Sequence, residues 1–375
     1  MTRSIAATLL ALIVVAPGHQ VLTQSATQPG TNVRADQWHL RYLKADVANS
    51  IAQGDGVLVA VPDTGVSPHP DLRHNLLAGT STIPGVTGDG RDDKNSHGTG
   101  MAGLIAAHGQ EDGTGAVGIA PRAKILPIQS SGANNTGRPD DLAAGIEFAI
   151  AHHATVISIS SSGVSSPALV SAVRAALSAD IVVVAAAGNR PEDGYVGYPA
   201  SESGVIAVGG VDRVGEHASV SVSGPEIDVA APAVDIYSTS YDGKYSKGTG
   251  TSSATAIVAG AAALIRSKYP NLPAQEVAHR LTATAVDKGP PGRDDQYGYG
   301  VIDLVAALTA DVPPLGFESS NVTPPASAEA APDKGDSAGT IRGLATLGVL
   351  VAAGGGYLFW RHRRRADDPP PRVSR

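Results

Sequence analysis

The sequence predicts an α/β fold, with a mostly parallel central sheet flanked by helices and one C-terminal transmembrane helix added. Three observations carry this. Between residues 54 and 310, short Val/Ile/Ala-rich runs alternate with longer Ala-rich runs. Such alternation, with strands too apolar to face water on either side, marks a parallel sheet covered by helices. Hydrophobic residues make up 42% of the chain, ample for a large core. Near the C-terminus, the run 343–360 is apolar on every side, as a helix in lipid must be.

The elements follow in chain order. Arg3 and the short apolar run 5–16, broken by Pro17-Gly18, read as a secretory signal over residues 1–26, with cleavage after Ala16 or Ala26. Residues 27–53 form an N-terminal extension. There Leu40, Leu43, Val47 and Ile51 have the spacing of one amphipathic helix packed on the domain. The domain itself, 54–310, carries strands at 57–61, 124–128, 156–160, 181–186 and 205–208. Its strongest helices are at 98–107, 140–153, 168–178, 252–268 and 274–285. Residues 311–340, rich in Pro, Ala, Ser, Glu and Asp, form a disordered linker with a reach of roughly 30 Å. A transmembrane helix follows over 341–360; its run 343–360 is ~27 Å long at ~1.5 Å per residue. Tyr357 and Trp360 suit an interfacial belt. Arg361, Arg363, Arg364 and Arg365 then put the tail 361–375 in the cytoplasm and everything before the helix outside.

Composition narrows function. A net charge of −7 argues against nucleic acid as a partner. With no cysteine there are no disulfides and no thiolate metal sites.

Three distant segments carry the chemistry. Asp63 closes the first apolar strand in Pro62-Asp63-Thr64-Gly65. His97 opens an Ala/Gly-rich helix in His97-Gly98-Thr99-Gly100. Ser252 opens another in Gly250-Thr251-Ser252-Ser253. In open α/β sheets, sites form outside the carboxyl ends of strands. Asp63 there can hold an imidazole in one tautomer, His97 can act as base and then acid, and Ser252 can be the nucleophile. The helix beginning at Ser252 is made of side chains so small and apolar that it must be buried. Its positive end, with the Ser252 N–H, favours an oxyanion.

In the order Asp, His, Ser and in these flanking residues, the chain resembles the subtilisin-like (S8 family) serine proteases. Within them it is similar to the mycosins, membrane-anchored proteases of type VII secretion. That likeness covers the signal, the short extension with Gln37-Trp38, the catalytic domain, the proline-rich tether, and the membrane helix with its basic tail. The resemblance implies that Asn189, in Ala187-Gly188-Asn189, donates its side-chain N–H to the oxyanion. It also implies that Ser160, Ser161, Ser162 and Gly163 line the primary specificity pocket and pair with substrate. The extension leaves no room for the long inhibitory prodomain that many secreted members carry. Pro62, where the family has an aliphatic residue, removes a backbone donor and predicts a tilted Asp63. Ser161-Ser162-Gly163 replaces the usual Ser-Leu-Gly.

The acidic loop 88–95 reads as solvated surface, since Arg91 and Lys94 interrupt the carboxylates a calcium ion would need. His69, His74, His108, His152 and His153 read as surface or packing residues. The function expected is a membrane-anchored, extracytoplasmic serine endopeptidase. It needs no cofactor or metal, acts on protein or peptide, and processes secreted proteins beside a membrane secretion complex. The alternative is a protease-fold scaffold that stabilises such a complex, with catalysis secondary.

Overall fold

The computed structural model describes residues 33–316. The sheet strands are β1 (Leu58–Asp63), β2 (Thr80–Ser81), β3 (Lys124–Gln129), β4 (Val156–Ile159), β5 (Val182–Ala186), β6 (Ile206–Val211) and β7 (Val229–Pro232). They lie in the order β2-β3-β1-β4-β5-β6-β7, and every neighbouring pair is parallel. The chain order reverses direction at β1, so the crevice beside its carboxyl end is the topological switch point where such sheets bind ligands. Asp63, the last residue of β1, stands there. A separate antiparallel hairpin is built from β8 (Ile236–Thr239) and β9 (Tyr245–Gly248).

The helices are α1 (Val33–Asp36), α2 (Trp38–Tyr42), α3 (Ala45–Asn49), α4 (His97–Ala106), α5 (Pro139–Ala151), α6 (Pro167–Ser178), α7 (Thr251–Lys268), α8 (Ala274–Ala283) and α9 (Leu304–Thr309). Local chemistry starts several of them. Pro139 and Pro167 occupy first-turn positions where their missing N–H costs nothing. Ser166 caps α6 through Leu169 N, and Asp303 caps α9 through Ala306 N. Two apolar layers cover the sheet. One joins α4, α7, α8 and α9 to one face; the other joins α5 and α6 to the opposite face. Every residue of α7 from Thr251 to Arg266 is buried. A helix of Ala, Gly, Val and Ile can lie that close to a sheet because little side chain separates the two. At Gly260 an added Cβ would stand 2.7 Å from Ile119 Cβ.

The five predicted strands and five predicted helices are present, with ends shifted by up to about three residues. The short β2, the strand β7, the hairpin and α9 were not predicted. The extension differs more. In place of one amphipathic helix there are three short ones, broken at Lys44, whose backbone is left-handed (φ 52, ψ 45). The apolar stripe is also different, since Val47 is exposed while Val33, Trp38, Leu43, Ala45 and Ala48 are buried. Polar anchoring overrides periodicity here. Buried Gln37 accepts the Val117 N–H at 2.9 Å and donates to the carbonyls of Val117 at 2.9 Å and Tyr237 at 3.3 Å. Trp38 Nε1 donates to Val234 O at 3.0 Å. Among the described residues no helix is long and apolar enough to cross a membrane. The candidate span, the signal, most of the linker and the basic tail lie outside the described residues.

His39 is fully buried, and neither ring nitrogen finds a hydrogen-bond partner. Burial, aided by the Arg41 charge, lowers its pKa from 6.5 to about 3. The neutral ring therefore stabilises the fold above the unfolded value of 6.5, and this contribution is lost as pH falls from there towards about 3. Replacing it with an uncharged ring tests this. In urea unfolding, His39→Phe should gain about 2 kcal/mol on the native chain between pH 7 and pH 5. Parallel pH slopes for the two chains would remove His39 from the acid response.

Candidate active site

Asp63 and His97 meet although 34 residues separate them. His97 Nδ1 lies 2.8 Å from Asp63 Oδ1 and 2.9 Å from Oδ2. The Thr64 N–H donates to Asp63 Oδ1 at 2.7 Å. Despite the backbone donor that Pro62 lacks, β1 keeps its register with β3 through Pro62↔Ile128 and Asp63↔Gln129. Close approach depends on Gly98, where a Cβ would fall 2.1 Å from Gly65 O and 3.1 Å from Asp63 Cβ. Burial pulls the His97 pKa down. The Asp63 charge and hydrogen bond, with a further contribution from Asp93, more than offset it, so the net shift is upward.

Ser252 sits in the first turn of α7, 3% exposed. Its hydroxyl donates to Ser160 O at 2.9 Å, at the carboxyl end of β4, the strand next to β1. The Ser160 hydroxyl returns a bond to Ser252 O at 3.3 Å. His97 Nε2, the nitrogen that faces no carboxylate, is buried and makes no hydrogen bond in this structure. An unpaired buried nitrogen costs about 1–3 kcal/mol, and catalytic hydrogen bonds often close only once substrate is bound. Asn189 follows β5. Its Oδ1 accepts from Thr251 N at 2.9 Å and Thr251 Oγ1 at 3.2 Å, beside Ser252. With the amide oxygen so committed, its NH₂ is the end left for a ligand.

Ser160, Ser161, Ser162 and Gly163 line a groove of about 950 Å³ that also takes in Asn189 and Thr251. Gly163 bonds Tyr198 through both its N–H (3.0 Å) and its C=O (2.9 Å). An aspartate, an imidazole, a serine hydroxyl and an amide donor around one crevice can perform acyl transfer.

Comparison with known proteins agrees with that chemistry. A family model described as the subtilase family matches residues 54–300. The chain belongs to the subtilase family. It is 41% identical to subtilisin DY of Bacillus licheniformis over 271 residues, which are 71% of this chain and 96% of that one. Among solved structures it is similar to MycP1 from Mycobacterium smegmatis, at 29% identity and a TM-score of 0.69, covering 80% of this chain and 90% of that one. It is also similar to the MycP3 protease from the type VII (ESX-3) secretion system, at 31% identity and a TM-score of 0.69, covering 82% and 100% respectively. The subtilase is thus a subtilisin-like serine protease, structurally close to mycosins.

Sequence reading missed a residue at the centre of this subtilase site. The loop 88–95 was expected to be solvated, yet Asp93 within it is buried. Its Oδ1 accepts from Thr64 Oγ1 (3.0 Å), Asn95 N (2.8 Å) and Ser96 N (3.0 Å). Its Oδ2 accepts from Thr99 N (3.0 Å) and Thr99 Oγ1 (2.5 Å). Thr64 Oγ1 in turn accepts the Gly98 N–H at 3.0 Å. One carboxylate therefore caps α4, which opens with His97, and ties it to the turn after Asp63. It also holds Ser96 in a left-handed conformation (φ 86), a strain that persists only where its surroundings enforce it. The available signal was an Asp four residues before the His that opens a predicted helix, where a carboxylate can accept first-turn N–H groups. Among the described residues no group of three or more His, Cys, Asp or Glu could hold a metal ion. His69, expected to be surface or packing, is buried, with Nε2 3.0 Å from Lys244 O.

Asp93→Asn keeps the shape and removes a charge that adds, after Asp63, to the rise in the His97 pKa. The acid limb of activity should therefore move to lower pH than in the native enzyme. Asp93→Ala should also cost several kcal/mol in denaturant unfolding, at about 1–3 kcal/mol for each buried N–H left unpaired. An unmoved acid limb would show that the Asp93 charge is not felt at His97.

Proposed function

We propose that this protein is a membrane-anchored, extracytoplasmic serine endopeptidase that processes secreted proteins beside a type VII secretion complex. The observation that carries the catalytic half is the buried Asp63–His97 pair at the sheet's switch point, next to a serine that opens a buried helix. His97 Nε2 takes the proton from Ser252 Oγ as that oxygen attacks the substrate carbonyl. Asp63 stabilises the imidazolium that results. The negative oxygen of the tetrahedral intermediate is held by Asn189 Nδ2 and the Ser252 N–H. Collapse expels the amine, which takes its proton from His97, and leaves an ester on Ser252. Water, activated by the same imidazole, then hydrolyses the ester. Substrate adds along the free edge of residues 160–163, pairing through Ser162 and placing its side chain in the groove beside Ser161 and Asn189.

The membrane half rests on the apolar run 343–360 and the arginines after it, together with the likeness to proteases of type VII secretion. On this reading residues 1–26 are the signal, 27–53 the extension, 54–310 the catalytic domain and 311–340 a tether. No resident cofactor takes part in the steps above.

Covalent labelling by a fluorophosphonate, which needs an activated serine, is the direct test. Ser252→Ala should abolish it and Ser253→Ala should keep most of it; the reverse would move the nucleophile to Ser253. Because His97 must be neutral to accept the proton, and its pKa is raised, activity should fall as pH drops through a value above the ordinary 6.5. A profile flat to about pH 4 would exclude an imidazole base. Asn189→Ala should lower turnover by about 10²–10³, the effect that removing an oxyanion donor has in subtilisin, with little change in KM.

Membrane attachment is read separately. The full chain should fractionate with membranes, and a tag after Arg375 should resist external protease in intact cells. Recovery of the full chain in the soluble fraction would overturn the anchor.

A further inference from the structure

We propose that Asp193 is a positioning residue for the chemical step, holding Asn189 where its side chain can donate to the oxyanion. This rests on the serine-protease reading above and assigns a role to a side chain outside the triad. The Asn189 N–H donates to Asp193 Oδ2 at 2.7 Å. The Asp193 N–H donates back to Asn189 O at 2.7 Å. The turn 189–193 is thus closed twice, once by backbone and once by a carboxylate.

The same carboxylate packs against the peptide before Asn189. Gly188 has φ +117, and a Cβ there would lie 2.7 Å from Asp193 Oδ2. Asp193 therefore fills the space that any side chain at 188 would claim. On its other side Asn189 is held by Thr251, at the start of the helix that carries Ser252. Neighbouring bonds tie the turn to segment 220–222: Arg190 N to Val220 O at 2.8 Å, and Val222 N to Gly188 O at 3.2 Å. The Asn189 N–H itself has Asp193 as its acceptor. Burial raises the Asp193 pKa, the bond from Asn189 works against that rise, and Glu192 adds to it. A charge-assisted bond is about twice as strong as a neutral one, and an oxyanion donor must be held to within about 0.5 Å.

If Asp193 acts through Asn189, its removal matters only while Asn189 is present. The measurement is phosphonylation of the full-length protein by a fluorophosphonate, separated into the maximal rate and the half-saturating concentration. Asp193→Ala should lower the maximal rate roughly tenfold and shift half-saturation by less than about threefold. In an Asn189→Ala background the same substitution should change the rate by less than about twofold. Asp193→Asn, whose amide oxygen can still accept the N–H, should recover part of the loss. Equal losses in both backgrounds, or no loss in the native one, overturn the proposal. If Asp193→Ala does not unfold cooperatively on heating, the two-background comparison is read with Asp193→Asn by the same criterion. A native chain that does not label at all overturns the serine-protease reading instead. A labelled native chain with an uncoupled Asp193 overturns this inference alone.

Discussion

The burial of an imidazole against a carboxylate is the constraint on which the rest of this structure depends. Taking His97 out of water disfavours its charged form, which proton transfer from a serine must create. Asp63 reverses the effect through charge and hydrogen bonding. It does so only at contact distance, and the local architecture exists to secure that contact. Gly98 lacks a Cβ, so the helix comes down onto the turn after β1. Thr64 and Asp93 then tie turn and helix together through buried hydrogen bonds. The same Asp93 charge adds to the rise in the His97 pKa, so fixation and tuning come from one side chain.

The sheet brings the remaining groups to the same crevice. Asp63 ends β1, Ser160 follows β4 and Asn189 follows β5, and these are adjacent strands of one parallel sheet. Parallel order puts all three on the carboxyl side without any special loop. The fourth group arrives on α7, which can lie against the strands because its buried face is almost entirely small and apolar. Thr251 joins the two halves. Its N–H and hydroxyl meet Asn189 Oδ1 while the next residue is Ser252.

The extension 33–53 belongs to the same body as the enzyme core. Gln37, Trp38 and Asn49 reach Val117, Tyr237, Val234 and Ile119. The β8–β9 hairpin they touch also bonds α4, through Ser238 Oγ to Gly100 O at 2.7 Å and Thr239 Oγ1 to Thr99 O at 2.7 Å. The extension thus abuts the hairpin that supports the His97 helix, which links its docking to the site by two layers of contact.

Much of this was legible in the sequence alone. Strand and helix order and the buried character of α7 follow from patterns within short windows. The grouping of Asp63, His97 and Ser252 rests on their chain order and flanking residues, and Asn189 is added by the resemblance to the subtilisin-like proteases. Apolar period, Gly and Pro punctuation and flanking residues are local signals. The tertiary structure decided the rest, because which donor meets a polar side chain depends on how the backbone folds around it, near or far along the chain. Asp93 reads as one more charge in a solvated loop until Thr64 stands beside it. Asp193 carries no signal in the sequence, and only in the fold does its oxygen meet the Asn189 N–H. Leu40, Leu43, Val47 and Ile51 have helical spacing, yet the backbone breaks at Lys44 and Val47 is left exposed, while Gln37 and Trp38 anchor the segment to Val117, Tyr237 and Val234. The sequence determined which groups could do the chemistry; only the fold decided which acceptors hold them there, since a buried hydrogen bond depends on where the folded backbone brings donor and acceptor together, whether four residues apart, as Asn189 and Asp193 are, or 62, as Asn189 and Thr251 are.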